Sequence, residues 1–169
     1  MIIETPFLRK VVLVVFCLFG WSMAILHWGD IMQGYASVIT YFTDPKLDQY
    51  KRSSVTIGGN AFNAVIADSD VKRILGLSGT VSLPRNQVML FIFDYPDKWG
   101  IWMKDMLFPI DIMWFDENLN MVHSVKDVGP DTFPEVFEPK SKALYVVEAK
   151  AGFIDENMIG LGSRMVIFK

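Results

Sequence analysis

The sequence is poor in the residues that build cross-links and the commonest metal centres. Cysteine occurs once, at Cys17, and histidine twice, at His27 and His123, in a chain of 169 residues. A lone cysteine cannot form a disulfide within the chain, and two histidines are too few for a typical histidine-rich metal centre. No loop has the carboxylate spacing of a calcium-binding hand. We therefore predict no metal site and no cofactor.

Positive charge is also scarce. The chain has 16 lysines and arginines against 19 aspartates and glutamates, which gives a formal net charge of −3. Proteins that bind nucleic acid usually need a concentrated basic face to contact the phosphates. The charge balance therefore argues against nucleic acid as a partner. Half of the residues are apolar, so a packed core is expected and global disorder is not.

A long apolar run without charge lies near the N-terminus. Residues 11–28 contain no charged side chain, and the run is long enough to approach the roughly 20 residues that cross a bilayer as a helix. Arg9 and Lys10 precede it and Asp30 follows it. Because basic flanks stay in the cytoplasm, we predict a single-pass helix with the N-terminus inside and the later residues outside.

A cleaved signal peptide is the alternative to this anchor. Its basic and apolar regions would look much the same, and the protein would then be secreted. Small residues at alternate positions occur as Ser22 with Ala24 and as Gly34 with Ala36. The first pair lies inside the apolar run and the second lies far beyond it. We therefore favour a retained anchor.

The composition divides the chain into four segments. They are a cytoplasmic N-terminus (1–10), a transmembrane anchor (11–28), a stalk (29–54) and an extracytoplasmic β-rich domain (55–169). Apolar residues recur at helical spacing in the stalk until Asp44 and Pro45 interrupt the pattern. We interpret the stalk as a spacer helix, or else as a helix that lies on the membrane or packs on a partner.

Short strand patterns separated by turn residues fill the C-terminal domain. Gly58, Gly59 and Asn60 indicate a hairpin, and Asp68 or Ser69 can begin a short helix that ends near Gly76. Further strands are predicted at 88–93, 101–104, 110–115, 121–125, 144–149 and 164–168. This pattern predicts a mainly β (α+β) domain, a compact antiparallel barrel with one short helix.

Five sequence blocks follow one another in an order that resembles a known family. They are LGL at 75–77, MLFIF at 89–93, WMKDM at 102–106, PIDI at 109–112, and YVVE at 145–148 with the later Ala151-Gly152. This part of the chain, about residues 63–167, resembles the uncharacterised family called domain of unknown function 192. The resemblance implies a compact, barrel-like β domain, often behind a signal peptide or anchor, and no established activity.

The sequence departs from that family at two positions. Val88 stands where many members have glycine, and Ser163 stands where many have aspartate. A function that rested on that aspartate would be in doubt here.

Charges set in apolar strands are the candidate binding residues. Glu148 is the lone carboxylate of an apolar strand, and burial would force it to find a donor or take up a proton. Lys104 is the expected partner and Asp111 a competitor, so we expect these three side chains to lie close together. With Trp102 and Asp105 beside them, they form a candidate site for a small polar ligand. The alternative is a structural ion pair that fixes strand register.

Three classes of function therefore stay open. The best guess is a module that binds a small polar ligand or an envelope protein. A structural or interaction barrel without a ligand is the alternative, and an enzyme of unidentified reaction is the third. The third is least favoured because no nucleophile or metal motif accompanies His123 or the serines.

Overall fold

Nine β-strands provide most of the regular secondary structure in residues 45–168, the part of the chain that the computed structural model describes. The strands are β1 (Lys51–Ile57), β2 (Asn60–Ala67), β3 (Gln87–Asp97), β4 (Ile101–Trp102), β5 (Ile110–Phe115), β6 (Met121–Val128), β7 (Val136–Phe137), β8 (Ala143–Lys150) and β9 (Met165–Phe168). Two short α-helices, α1 (Asp70–Leu75) and α2 (Phe153–Glu156), and two 3-10 helices (Pro45–Gln49 and Pro130–Thr132) join them. The prediction of a mainly β domain is confirmed.

Seven of these strands form one sheet, in the order β6-β5-β8-β3-β2-β1-β9, and β4 pairs with β7 in a small ribbon. Every pair in the sheet is antiparallel except β2 with β3, which is parallel. The sheet is therefore mixed, whereas the sequence predicted an antiparallel one. The reason is α1, which lies between β2 and β3 and carries the chain back to the end of the sheet where β2 began.

The two edge strands of the sheet meet at one end. The Met121 N–H donates to the carbonyl oxygen of Ser163 at 2.9 Å, and the Met165 N–H donates to that of Leu119 at 2.8 Å. An isolated β-bridge between Asn120 and Arg164 lies between these bonds. The sheet therefore curls until its edges touch at this end, which gives the domain its barrel-like shape.

Both faces of the central strands are covered. Val55, Leu90 and Met113 belong to a core inside the curled sheet, whereas Met89 and Ile112 belong to a second core on the opposite face. All six residues of β5 are buried, and so are the first five of β3. Strands that are buried on both faces have continuous apolar runs in their sequence, which explains the apolar run in the strand predicted at 88–93.

The predicted hairpin and the predicted ends of the short helix are confirmed. Gly58 and Gly59 have φ angles of 59° and 91°, and they join β1 to β2 in the predicted hairpin. Ser69 is the N-cap residue of α1, and Gly76 follows its last residue with a φ of 48°. The second helix, α2, was not predicted because a single turn of four residues carries almost no periodic signal.

The fold begins before the expected boundary at residue 55. Strand β1 starts at Lys51, and Leu47 and Tyr50 are buried in the second core. The domain therefore includes the end of the segment that we interpreted as a stalk. The predicted cytoplasmic N-terminus (1–10), anchor (11–28) and most of the stalk lie outside the described residues. Between residues 45 and 168, no helix has both the length and the apolar character that a membrane span requires.

Candidate functional site

A small pocket opens between α1 and the β4–β7 ribbon. Its volume is about 40 Å³. The end of α1 and the turn after it form one wall, from Arg73 to Ser78, and residues 100–102 form another. Phe91, Met106 and Glu148 complete the lining. The pocket therefore lies over the second core, on the face of the sheet that β4 and β7 cover.

Glu148 occupies the centre of that face. Strand β8 runs between β3 and β5, and Glu148 is opposite Met89 on one side and Ile112 on the other. Only 5% of its surface is exposed. Alternation along β8 puts its side chain on the same face as Val146, which belongs to the second core. A carboxyl group is thus held among apolar neighbours in the middle of the sheet.

One oxygen of this carboxyl group has no hydrogen-bond partner. Oε2 of Glu148 is buried and unpaired. Burial raises the pKa of Glu148 from 4.5 to about 8, because an ionised carboxylate is poorly solvated there. The sequence predicted that a buried Glu148 would either find a hydrogen-bond donor or take up a proton. With a pKa of about 8, its carboxyl group holds a proton near neutral pH.

Tyr50 interacts electrostatically with this carboxyl group. Burial raises the pKa of Tyr50, and the negative charge of Glu148 raises it further. The Tyr50 hydroxyl donates its hydrogen bond to the carbonyl oxygen of Gly76 at 3.2 Å, so it does not donate one to Glu148. Sequence analysis missed Tyr50, because nothing in the local pattern connects it to a strand that lies about 100 residues later.

Trp102 and Lys104 lie together on the exposed side of the pocket wall. Trp102 is 45% exposed, and Nζ of Lys104 lies 5.9 Å from the centre of its indole ring. These two side chains therefore lie near each other, although Lys104 lies in the turn that follows β4. The predicted pairing of Lys104 with Glu148 is wrong, because no ion pair joins them and Oε2 stays unpaired. Strand β4 ends at Trp102, and the turn after it carries Lys104 outward.

Asp111 does not belong to the pocket, and its predicted place beside Glu148 is wrong. Its oxygens accept hydrogen bonds from the backbone N–H groups of Asp127 and Ile154, both at 2.9 Å. Asp111 is opposite Ala149 in the β5–β8 pair, so it projects to the other face of the sheet from Glu148. This buried carboxylate is fully paired and ties β5 to β6 and to α2.

Asp105 is likewise outside the pocket lining. It is exposed and has a φ angle of 56°, in the left-handed region that aspartate and asparagine tolerate better than most residues. Its carbonyl oxygen accepts a hydrogen bond from the Gly79 N–H at 2.7 Å. Asp105 therefore shapes the turn that holds the 100–108 segment against the Leu77–Thr80 turn.

Arg73 lines the pocket and was not predicted from the sequence. Nη1 donates to the carbonyl oxygen of Ile92 at 2.6 Å, and Nη2 contacts the carboxylates of Asp70 at 2.6 Å and Asp94 at 3.4 Å. Only 11% of its side chain is exposed. The guanidinium group therefore holds α1 on β3. Its signal in the sequence was weak, because a basic residue in a short polar helix normally faces solvent.

Exposed apolar side chains border the pocket. Ile74 is 67% exposed and Leu75 is 38% exposed, and both line the pocket with Trp102. Phe133 meets the Trp102 ring edge-on at 6.4 Å, and Val136 is paired with Trp102 across the ribbon. We call these five residues the apolar rim. Grouped exposed apolar side chains beside a pocket are typical of binding surfaces.

The two departures from the family pattern lie elsewhere. Val88 is fully buried in the core inside the curled sheet. The Ser163 hydroxyl accepts a hydrogen bond from the Gly160 N–H at 3.0 Å, which is a turn-stabilising role that an aspartate could also fill. Neither position lines the pocket, so neither departure bears on it. Across residues 45–168, no three Cys, His, Asp or Glu side chains are grouped as a metal site would need.

Comparisons with known proteins support this fold. No curated protein matches the chain. Among solved structures, a proposed transcription regulator from Sinorhizobium meliloti 1021 has a TM-score of 0.66 at 20% identity, over 70% of this chain and 95% of that one. A protein of unknown function from Novosphingobium aromaticivorans DSM 12444 has a TM-score of 0.64 at 18% identity, over 73% and 98%. Identities this low establish a shared fold alone.

The family comparison agrees with the sequence blocks. Residues 53–167 match the model of DUF192, a family described as an uncharacterized ACR. The match begins in β1 and ends in β9, so it spans all of the strands that form the curled sheet. It covers most of the chain and includes Trp102, Asp111 and Glu148. The chain therefore belongs to the DUF192 family.

Proposed function

We propose that the domain is a binding module for a small ligand that places a polar group against Glu148. The observation that carries this proposal is the buried, unpaired Oε2 of Glu148 in a pocket bordered by the apolar rim. Buried polar groups nearly always have a hydrogen-bond partner. A buried group without one costs roughly 1–3 kcal/mol, and a bound ligand would recover that cost.

A purely structural role explains Glu148 less well. Asp111 shows what a structural carboxylate looks like in this fold, because both of its oxygens accept backbone hydrogen bonds. Glu148 has no such partner for Oε2, although the same strands flank it. An apolar residue at 148 would serve packing better. A ligand-binding role gives a reason for the carboxyl group that packing does not.

An enzyme could use the same pocket, since a carboxyl group with a pKa of about 8 can donate or accept a proton near neutral pH. Binding is the better supported of the two. The other ionisable group of the pocket lining, Arg73, is held by Ile92, Asp70 and Asp94, so it is not available to assist a reaction. Catalysis normally requires a second group in hydrogen-bond reach of the reacting atoms.

The N-terminal segment gives the setting of this binding module in our proposal. The apolar run at 11–28, preceded by Arg9 and Lys10, supports a retained membrane anchor with the domain outside the cytoplasm. There the ligand would be a small polar molecule of that compartment, or a side chain presented by an envelope protein. The same run would serve as a signal peptide if it were cleaved.

A thermal-shift screen of the full-length chain in mild detergent tests the binding proposal. Metals, sugars, amines, amino acids and other metabolites are added to the wild type, to Glu148→Gln, and to Glu117→Gln as an exposed control. A specific ligand at a hundred times its Kd stabilises a protein by about 2.7 kcal/mol. We expect a compound that raises the Tm of the wild type and of Glu117→Gln but not of Glu148→Gln.

Two results would contradict the proposal. One is that no compound raises the melting temperature of the wild type. The other is that every stabilising compound acts equally on Glu148→Gln, which would place its site elsewhere. Each shift is measured against the same variant without ligand, because the substitution itself can change stability.

A further inference from the structure

We infer that the group bound by Glu148 is a protonated amine, the head of a small alkylamine whose apolar part lies on Ile74, Leu75 and Trp102. This inference rests on the proposed binding function and names its ligand class. Four features of the pocket support it: its unused hydrogen-bonding atom, its charge balance, its aromatic lining and its size.

Three side chains around the pocket have donors that are already used. The Ser78 hydroxyl donates to the carbonyl oxygen of Lys104 at 2.8 Å, and the Tyr50 hydroxyl donates to that of Gly76. The Arg73 guanidinium is held by the contacts described above. The buried polar atom left over is a carboxyl oxygen, Oε2 of Glu148. An ammonium group has three donors and no acceptor, so it complements this oxygen.

No cation of the described chain compensates Glu148. The neighbours across the strands, Met89 and Ile112, are uncharged. Tyr50 faces it from the segment after the first 3-10 helix, and Arg73 lines the pocket from α1. Two carboxylates already neutralise Arg73. A buried carboxylate is costly unless an opposite charge accompanies it, and here that charge can come from the ligand.

Aromatic rings and the pocket volume suit a small cation. Phe91 and Trp102 both line the pocket, and ring faces attract ammonium groups within about 6 Å. A volume of about 40 Å³ holds only a few water-sized groups. An ammonium head fits this space, and the alkyl chain must lie on the apolar rim outside it.

The direction of the pH dependence separates this ligand class from neutral ones. An ammonium group pairs with ionised Glu148, so its binding displaces the proton that the carboxyl group holds below a pKa of about 8. The affinity should therefore rise about tenfold from pH 7 to pH 9, where an alkylamine is still protonated. A neutral acceptor would bind the protonated carboxyl group, and its affinity would fall over the same range.

The test is a carbon-13 NMR titration of the Glu148 carboxyl group in the full-length chain. The probes are n-butylamine and its neutral counterpart n-butanol, and comparison with Glu148→Gln identifies the Glu148 signal. We expect butylammonium to lower the pKa of Glu148 and to bind about tenfold more tightly at pH 9 than at pH 7. We expect Glu148→Gln to lose at least tenfold in affinity, and Glu117→Gln to bind as the wild type does.

An unchanged or raised pKa with butylamine, or equal binding of butanol, would overturn the inference. If Glu148→Gln fails to fold, the signal is assigned from backbone resonances and the direction of the wild-type pKa shift decides the question. The two proposals fail in different ways. If the thermal-shift screen finds a ligand that depends on Glu148 but butylamine does not lower the pKa of Glu148, the ligand class is wrong. If neither experiment detects binding that depends on Glu148, the pocket is not a ligand site.

Discussion

Asp111 and Glu148 lie on paired strands and project from opposite faces of the same sheet. Asp111 is opposite Ala149, and Ile112 is opposite Glu148. Two backbone N–H groups satisfy the carboxylate of Asp111, whereas Oε2 of Glu148 has no partner. One buried acid therefore stabilises the fold, and the other is the central group of the proposed binding pocket. The predictions below separate these roles.

Stability should fall as the pH rises from about 4.5 to about 8. Below 4.5 Glu148 is protonated in both states, and between 4.5 and 8 the folded state keeps a proton that the unfolded state has lost. Each pH unit in this window costs up to about 1.4 kcal/mol, and the loss levels off above 8. Urea denaturation at pH 5, 6, 7 and 8 measures the slope.

The variant Glu148→Gln should remove this slope. At pH 8 we expect it to be more stable than the wild type by on the order of 1–3 kcal/mol, because a neutral amide is cheaper to bury than a carboxyl group that must first bind a proton. The exposed control Glu117→Gln should keep the slope of the wild type. A Glu148→Gln variant that is less stable than the wild type at pH 8 would indicate a structural role instead.

Asp111→Ala should destabilise the domain at neutral pH by about 2–4 kcal/mol. The substitution leaves the buried backbone N–H group of Ile154 and the partly buried one of Asp127 without an acceptor. The control is Asp105→Asn, since Asp105 is exposed and asparagine tolerates its φ angle of 56°. Urea denaturation of both variants is the measurement. A change of less than 1 kcal/mol for Asp111→Ala would contradict this account.

Trp102→Ala should weaken ligand binding more than it weakens the fold. Trp102 is half-exposed at the pocket wall, where the butyl chain would lie on its ring. Each buried CH₂ group contributes about 0.8 kcal/mol, so the loss of one or two such contacts should lower the affinity for butylammonium by roughly 4- to 15-fold. Tyr95→Ala is the matched control, because Tyr95 is an exposed aromatic residue packed on Trp99 rather than in the pocket lining. Equal losses in the two variants would exclude a specific contribution of Trp102.

The first residues of the domain should matter for stability. Leu47 and Tyr50 are almost fully buried, and burial of one such side chain stabilises by about 1.5–3 kcal/mol. A chain that begins at residue 51 should therefore be less stable by about 3–5 kcal/mol than one that begins at residue 45. Urea denaturation compares the two. Equal stability would show that the boundary lies after Tyr50.

Membrane topology is open to a direct test. Arg9 and Lys10 before the apolar run predict a cytoplasmic N-terminus and an external C-terminal domain. Protease added to intact cells or spheroplasts should remove a C-terminal tag without lysis, and a tag on a cytoplasmic protein is the control. Protection of the tag until lysis would contradict the orientation. A mature N-terminus after Ala24 or Ala36 would contradict the retained anchor.

Local patterns in the sequence were sufficient for several parts of the structure. The Gly58-Gly59 hairpin, α1 and the central strands follow from residues that are neighbours in the chain. The place of Glu148 in an apolar strand also made it a candidate for burial, because alternation fixes which side chains of one strand share a face, and the structure shows that this face is buried. The family blocks were recognisable for the same reason, since each is a short contiguous run.

Only the tertiary structure decided how these strands align with one another. Alternation relates Glu148 to Val146 but not to Asp111, because a shift of one residue between β5 and β8 would exchange the two faces. For the same reason the sequence did not predict that Tyr50 and Arg73 lie near the pocket, because they come from segments far from Glu148 in the chain. The sequence by itself determined that a lone carboxyl group stands in an apolar strand. The register of the sheet decided that this carboxyl group is unpaired, because the residues that could satisfy it are brought near or kept away by contacts between distant strands.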